Sequence, residues 1–128
     1  MANPIEMNYD GLISNVNPAP IVAAGKLRKL GTAATYARGT ILAKSSGSAG
    51  DDKLVILGTT AATNETLTAY AILAEETYIG TAADVDAPVY TAGCFDPAKL
   101  AVDTGYTIVE GDWDALRDGG VFVSPKLS

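Results

Sequence analysis

From about residue 26 onward, apolar and polar positions change over with a period close to two, which is the pattern of β-strands. "YARGTILAK" (36–44) and "DKLVILG" (52–58) read as two strands joined through "SSGSAGD", a Gly/Ser loop suited to a long hairpin. "TLTAYAILAE" (66–75) reads as a third strand whose unbroken apolar run over 71–74 places it under cover on both faces. "APVYTAGCF" (87–95) is a fourth, with Gly93 marking a bulge or a close backbone approach. "GYTIVEG" (105–111) and "GVFVSP" (120–125) carry weaker strand patterns.

Two short helices have local causes. In "FDPAKLAV", Asp96 is placed to cap a helix that Pro97 opens, since the missing N–H of proline costs nothing at a first helical position. In "GDWDALRDGG", Asp112 is expected as the cap, Asp114 in the first turn, Arg117 near the end and Gly119 as the left-handed stop. Trp113 and Leu116, three apart, share one helical face and are expected to pack on the sheet or at an interface.

Residues 1–25 differ from the rest. Pro4, Pro18 and Pro20 exclude a continuous helix, and Ile5, Met7 and Tyr9 alternate with polar residues as a strand without a local partner. The division expected is therefore an N-terminal arm over 1–25 and a β-rich domain over 26–128. Such an arm is flexible alone and suited to adding a strand to another protein's sheet edge; an ordinary frayed terminus is the plainer reading.

Composition narrows the function. The 128 residues are enough for one domain with its own core, and 48% of them are apolar. Nine basic residues against fifteen acidic ones give a net charge of −6, without the basic stripe that a phosphate backbone requires. Nucleic acid is not an expected partner. Nor is a membrane, because no run approaches the roughly 20 apolar residues of a spanning helix. A secretory leader is not visible, and the single cysteine has no internal partner, so a reducing cytoplasm is the expected place of synthesis.

Histidine is missing altogether. That removes the commonest general base, the Ser-His and Cys-His nucleophile pairs and the commonest transition-metal ligand, and leaves carboxylates, lysine and tyrosine. Glu75, Glu76, Asp84 and Asp86 form the densest carboxylate group, but adjacent strand residues point to opposite faces, so Glu75 and Glu76 make no acid–base dyad. "DVD" (84–86) lacks the glycine and the later glutamate of a calcium loop. Asp112 and Asp114 around Trp113 suggest a saccharide platform or a carboxylate-based glycosidase-like site, although capping explains both aspartates more simply. Lys26, Arg28 and Lys29 form the one basic cluster and read as a solvated face; Cys94 reads as a small buried apolar residue. No enzyme, metal site or cofactor is expected.

Four stretches, in order, resemble one known family. "YARGTILAK" is similar to the Arg-Gly-Thr strand that opens the first hairpin of lambda-like phage head decoration proteins, and "AYAILAEE" to their Ala-Ile-Leu-Ala-Glu strand. "DVDAPVYTAGCFDPAKL" resembles their Pro-Val-Tyr strand, glycine, aromatic and short helix; "DALRDGGVFV" resembles their closing helix and strand. The resemblance covers about 36–125. It implies a mainly β fold of the β-clip or β-tulip type, a bent-ribbon incomplete barrel with one or two short helices. It also implies a homotrimer on the outside of the virion, seated on the major capsid protein at threefold and quasi-threefold positions. The family's arm orders on the shell as an added strand, which would assign the capsid contact here to Ile5, Met7, Tyr9, Leu12 and Ile13. The departures are Cys94, where the family often has a bulkier or charged residue, and the looser Gly119-Gly120 pair.

Overall fold

A computed structural model describes residues 12–15 and 19–123, and every structural statement below concerns those residues. The protein is mainly β. Its strands are β1 (Ile13–Asn15), β2 (Ile21–Leu27), β3 (Ala34–Tyr36), β4 (Ile41–Ser46), β5 (Leu54–Ile56), β6 (Thr66–Leu73), β7 (Thr77–Ile79), β8 (Val85–Phe95) and β9 (Val121–Val123). One α-helix, α1 (Glu110–Gly119), and a 3-10 turn (Pro97–Lys99) complete the described elements.

The large sheet runs β1-β8-β2-β5-β4-β6 and returns on itself where β6 also pairs β8, giving a partly closed barrel. Closure is narrow at one seam, where β2 meets β5 only through Leu27 and Leu54. β3 and β7 form a separate antiparallel pair.

Strand alternation sorts the core into two clusters. Ile41, Ile72 and Tyr90 belong to one, with Phe95, Leu116 and Val121; their chain neighbours Leu42, Leu73 and Val89 belong to the other, with Leu27 and Ile79. Successive side chains leave a strand on opposite faces, so covering both faces requires an apolar residue at every position. That is why "AILA" is unbroken: Ala71, Ile72 and Leu73 are all fully buried.

Several expectations are met locally. Residues 47–53 turn between β4 and β5, Gly93 sits at φ 139° with the Phe95 ring and Pro20 packed where a Cβ would go, and Asp96 accepts the Ala98 N–H at 3.0 Å as a cap. Cys94 is buried beside Ser14.

Others need correction. The 36–44 run is broken between β3 and β4, because Gly39 at φ 97° turns the chain and Thr40 donates back to the Ala37 carbonyl. Residues 105–109 are not a strand; Tyr106 and Ile108 pack on the core, and Glu110 already begins α1. Asp112 is not the N-cap residue but the third helical position, reaching back to the Val109 N–H at 3.1 Å, and the left-handed stop is Gly120. The boundary at residue 25 falls inside β2, which pairs β8 from Ile21 to Leu27. Leu12 is only 1% exposed and belongs to the core, and Ile13 pairs with Phe95. Neither is available as part of a detached arm. Ile5, Met7 and Tyr9 lie outside the described residues.

Candidate functional site

The four central carboxylates are not brought together. Glu75 and Glu76 are exposed just past the end of β6. Asp84 pairs with Lys53 at 2.6 Å and accepts the Lys29 N–H at 2.9 Å; these two contacts, Lys53 foremost, hold its carboxyl below the usual carboxylate range. Asp86 meets Lys26 at 3.1 Å on the surface.

Within the basic cluster Lys26 and Lys29 are exposed, while Arg28 turns onto the chain's own acids. Arg28 grips Asp51 with two donors, at 3.0 and 2.9 Å, and reaches Glu65 at 2.5 Å. Glu65 has a nearly covered side chain and also accepts from the Ala62 N–H and the Ser45 hydroxyl. Those three contacts hold Glu65 down to about 2, and the Arg28 fork holds Asp51 down to about 2. The clamp ties the end of β2 to the β4–β5 loop and the β5–β6 loop. Sequence spacing alone gave no sign of it, since its members stand 23 and 37 residues apart.

Around α1, both aspartates have partners within the chain. Asp112 accepts from the Val109 N–H and from the Tyr106 hydroxyl, which that hydrogen bond pushes up in pKa. Asp114 pairs with Arg117. A carboxylate engaged in capping is already oriented for a structural role. Leu116 is fully buried, as its helical position predicted, while Trp113 is half-buried and lines an open groove of about 380 Å³ with Pro97, Arg117, Val121, Phe122 and Val123. No group of three or more Cys, Asp or Glu side chains among the described residues is arranged to hold a metal, and none of the described helices is long and apolar enough to cross a membrane.

A third centre joins stretches far apart in the chain. Arg38 donates through Nη1 to the Tyr90 Oη at 2.7 Å and to the Ala74 carbonyl at 2.8 Å, with its guanidinium 5.3 Å from the Tyr90 ring centre. Beside it the Gly39 N–H donates to the Leu73 carbonyl at 2.9 Å, the Leu73 N–H to the Thr40 carbonyl at 2.8 Å, and the Ala74 N–H to the Pro88 carbonyl at 3.0 Å. Gly39 has no room for a Cβ, which would stand 2.6 Å from the Lys99 carbonyl oxygen. This centre is a joint, built from backbone pairing and one cation.

The last feature is an exposed apolar edge. Ile21 and Val22 are 57% and 56% exposed, followed by exposed Ala23 and Ala24. β8 covers one edge of β2, and no described strand covers the other until Leu27. The adjacent β-branched pair after Pro20 was the available signal, obscured by reading 1–25 as one arm.

No protein-family model matches the chain, and no curated protein sequence matches it either.

Proposed function

We propose that this chain is a phage head decoration protein, which binds as trimers to the outside of the expanded shell at threefold and quasi-threefold positions and braces it against the packaged genome. The observation that carries the proposal is the Arg38 joint. Arg38 and Gly39 come from the Arg-Gly-Thr stretch, Leu73 and Ala74 from the Ala-Ile-Leu-Ala-Glu stretch, and Pro88 and Tyr90 from the Pro-Val-Tyr stretch. Residues from three of the four stretches that carry the family resemblance therefore meet in one contact network. A joint of this kind conserves a shape, and shape is what cementing requires.

The physical logic agrees. A protein that binds the assembled shell and not its separated subunits stabilises the shell by mass action. It needs area and an adaptable segment, and no titrating chemistry. The engaged state of Asp84, Asp112 and Asp114 suits that role.

The test is co-sedimentation with the shells of its virus, before and after expansion. Saturation near one copy per capsid subunit, on expanded shells alone, is expected. Removing residues 1–11 should weaken binding sharply and leave the melting temperature nearly unchanged. The cut stops before Leu12 because that side chain belongs to the core. Full binding by the truncated protein would sink the arm mechanism, and no binding to either shell by the intact protein would sink the decoration reading.

A further inference from the structure

The barrel is joined along two lines, and they are built differently. Along the first, β6 meets β8 through Ile72 opposite Tyr90 and Leu73 opposite Val89. There the Ala74 N–H donates to the Pro88 carbonyl, and Arg38 holds both the Ala74 carbonyl and the Tyr90 hydroxyl. Along the second, β2 meets β5 through Leu27 and Leu54, and the Arg28 N–H donates to the Leu54 carbonyl at 2.9 Å. Beside that pair stand ion pairs: Arg28 with Asp51 and Glu65, and Lys53 with Asp84. Each of them crosses the line. Arg28 follows β2 and Asp84 precedes β8, whereas Asp51 and Lys53 precede β5 and Glu65 precedes β6. The two lines divide the sheet into two blades, β2 with β8 and β5 with β4 and β6. Between them Leu27, Val89, Leu42, Leu54 and Leu73, one from each of the five strands, share one buried cluster.

We infer that the barrel opens as a unit along the β2–β5 line, with the β6–β8 line as its hinge and the Arg28 and Lys53 ion pairs as its latch. Two observations carry this. The first is the asymmetry of the lines. Parting β2 from β5 breaks one residue pair and leaves the β2–β8 ladder, from Ile21 to Leu27, and the β4–β6 ladder intact. Parting β6 from β8 breaks ladder pairs and the Arg38 joint together. The second is that every acid of the latch keeps a donor on its own blade. Glu65 keeps the Ala62 N–H and the Ser45 hydroxyl, Asp51 keeps the Lys53 N–H, and Asp84 keeps the Lys29 N–H. No carboxylate is stranded when the cations withdraw, which removes the largest penalty for breaking such pairs. Arg28, Asp51 and Lys53 keep 26%, 35% and 32% of their side chains exposed, so dissolved ions reach the latch. Ionic strength therefore sets how often the blades part. The inference is independent of the decoration reading and stands or falls without it.

The test is native-state amide exchange by NMR on the intact chain, with Arg28 reporting the seam and Leu73 and Ala74 the hinge. Exchange at Arg28 is expected to be faster than at Leu73 and Ala74, with a denaturant slope between zero and that of global unfolding. Raising ionic strength from about 0.1 M to 1 M, which shortens screening from about 10 Å to 3 Å, should speed it further without any substitution. Glu65→Gln and Lys53→Gln each remove one cross-seam charge and should speed exchange at Arg28 by about tenfold. Lys26→Gln breaks only the pair with Asp86, between strands that stay together, and should leave Arg28 unmoved. Exchange at Arg28 with the rate and slope of Leu73 would mean that the barrel opens only by unfolding, which overturns the inference. Fast exchange that ignores denaturant would be fraying of a strand end and overturns it too. An intermediate slope indifferent to salt and to both latch variants would leave an opening without a latch, and the inference fails there as well.

Discussion

Arg28 Nη2 lies 2.5 Å from Glu65 Oε2, joining the end of β2 to a loop 37 residues later. Glu65 is the more covered partner, with 4% of its side chain exposed against 26% for Arg28. Removing the cation leaves a covered carboxylate with one strong donor fewer. Arg28→Ala should cost about 1–3 kcal/mol in denaturant unfolding, as expected for hydrogen bonds to charged groups. Lys26→Ala, which breaks an exposed pair with Asp86, should cost less than about 1 kcal/mol. Equal effects would show that the clamp adds nothing beyond a surface pair.

The same clamp sets an acid limit. Glu65 and Asp51 titrate near 2 in the folded chain against ordinary values of 4.5 and 3.8. Their folded values are depressed, so the unfolded chain takes up protons first as pH falls, and stability rises with pH across the window. The contribution is present in full above about pH 5 and lost between about pH 5 and 2. Melting temperature against pH should fall steeply there, and Glu65→Gln should flatten the slope while lowering stability at neutral pH. An unflattened slope would assign the acid sensitivity to other carboxylates.

Gly39 turns the chain between β3 and β4 at φ 97°, with the Lys99 carbonyl where a Cβ would stand. Gly39→Ala combines left-handed strain with a backbone clash. It should cost about 1–3 kcal/mol or more by denaturant unfolding. Gly31→Ala, where nothing crowds the new methyl, should stay within about 0.5 kcal/mol.

Around α1, structure and chemistry separate cleanly. Asp112→Ala removes the carboxylate that closes the first turn, a loss of about 1 kcal/mol. Leu116→Ala opens a void in the core and should cost about 2–5 kcal/mol. If α1 served a saccharide instead, Asp112→Ala would in addition abolish binding in a glycan screen.

The parts legible in the sequence were those with local causes. Alternation marked β4, β5, β6 and β8, Asp96 and Pro97 marked the short turn, and Leu116 followed from helical spacing. What escaped was set by distant partners. β2 escaped because "IVAAGKL" is exposed along most of its length and held by β8, whose partner residues lie 58 to 71 positions on, so no alternation announced it. The roles of Asp84 and Asp86 depended on Lys53 and Lys26, which only the closed sheet brings near. Tyr106 and Ile108 carry a strand-like pattern, yet Asp112 caps the chain into a helix directly behind them. The apolar groove at Trp113 needed β9 and α1 side by side, which no local pattern encodes.

β8 also governs the order in which the chain can fold. It pairs with β1, β2, β6 and β9, and β1 reaches it across a loop of some eighty residues. Most contacts are therefore non-local, the topology associated with folding in milliseconds to seconds rather than microseconds. During synthesis, β1 and β2 leave the ribosome well before their partner exists; at about 5–20 residues per second the wait for residue 95 is several seconds. Through that interval β5, β4 and β6, with β4 in the middle, can pair without β8. Closure of the barrel waits for β8, and until it emerges the Ile21–Ala24 edge lacks the strand it pairs with.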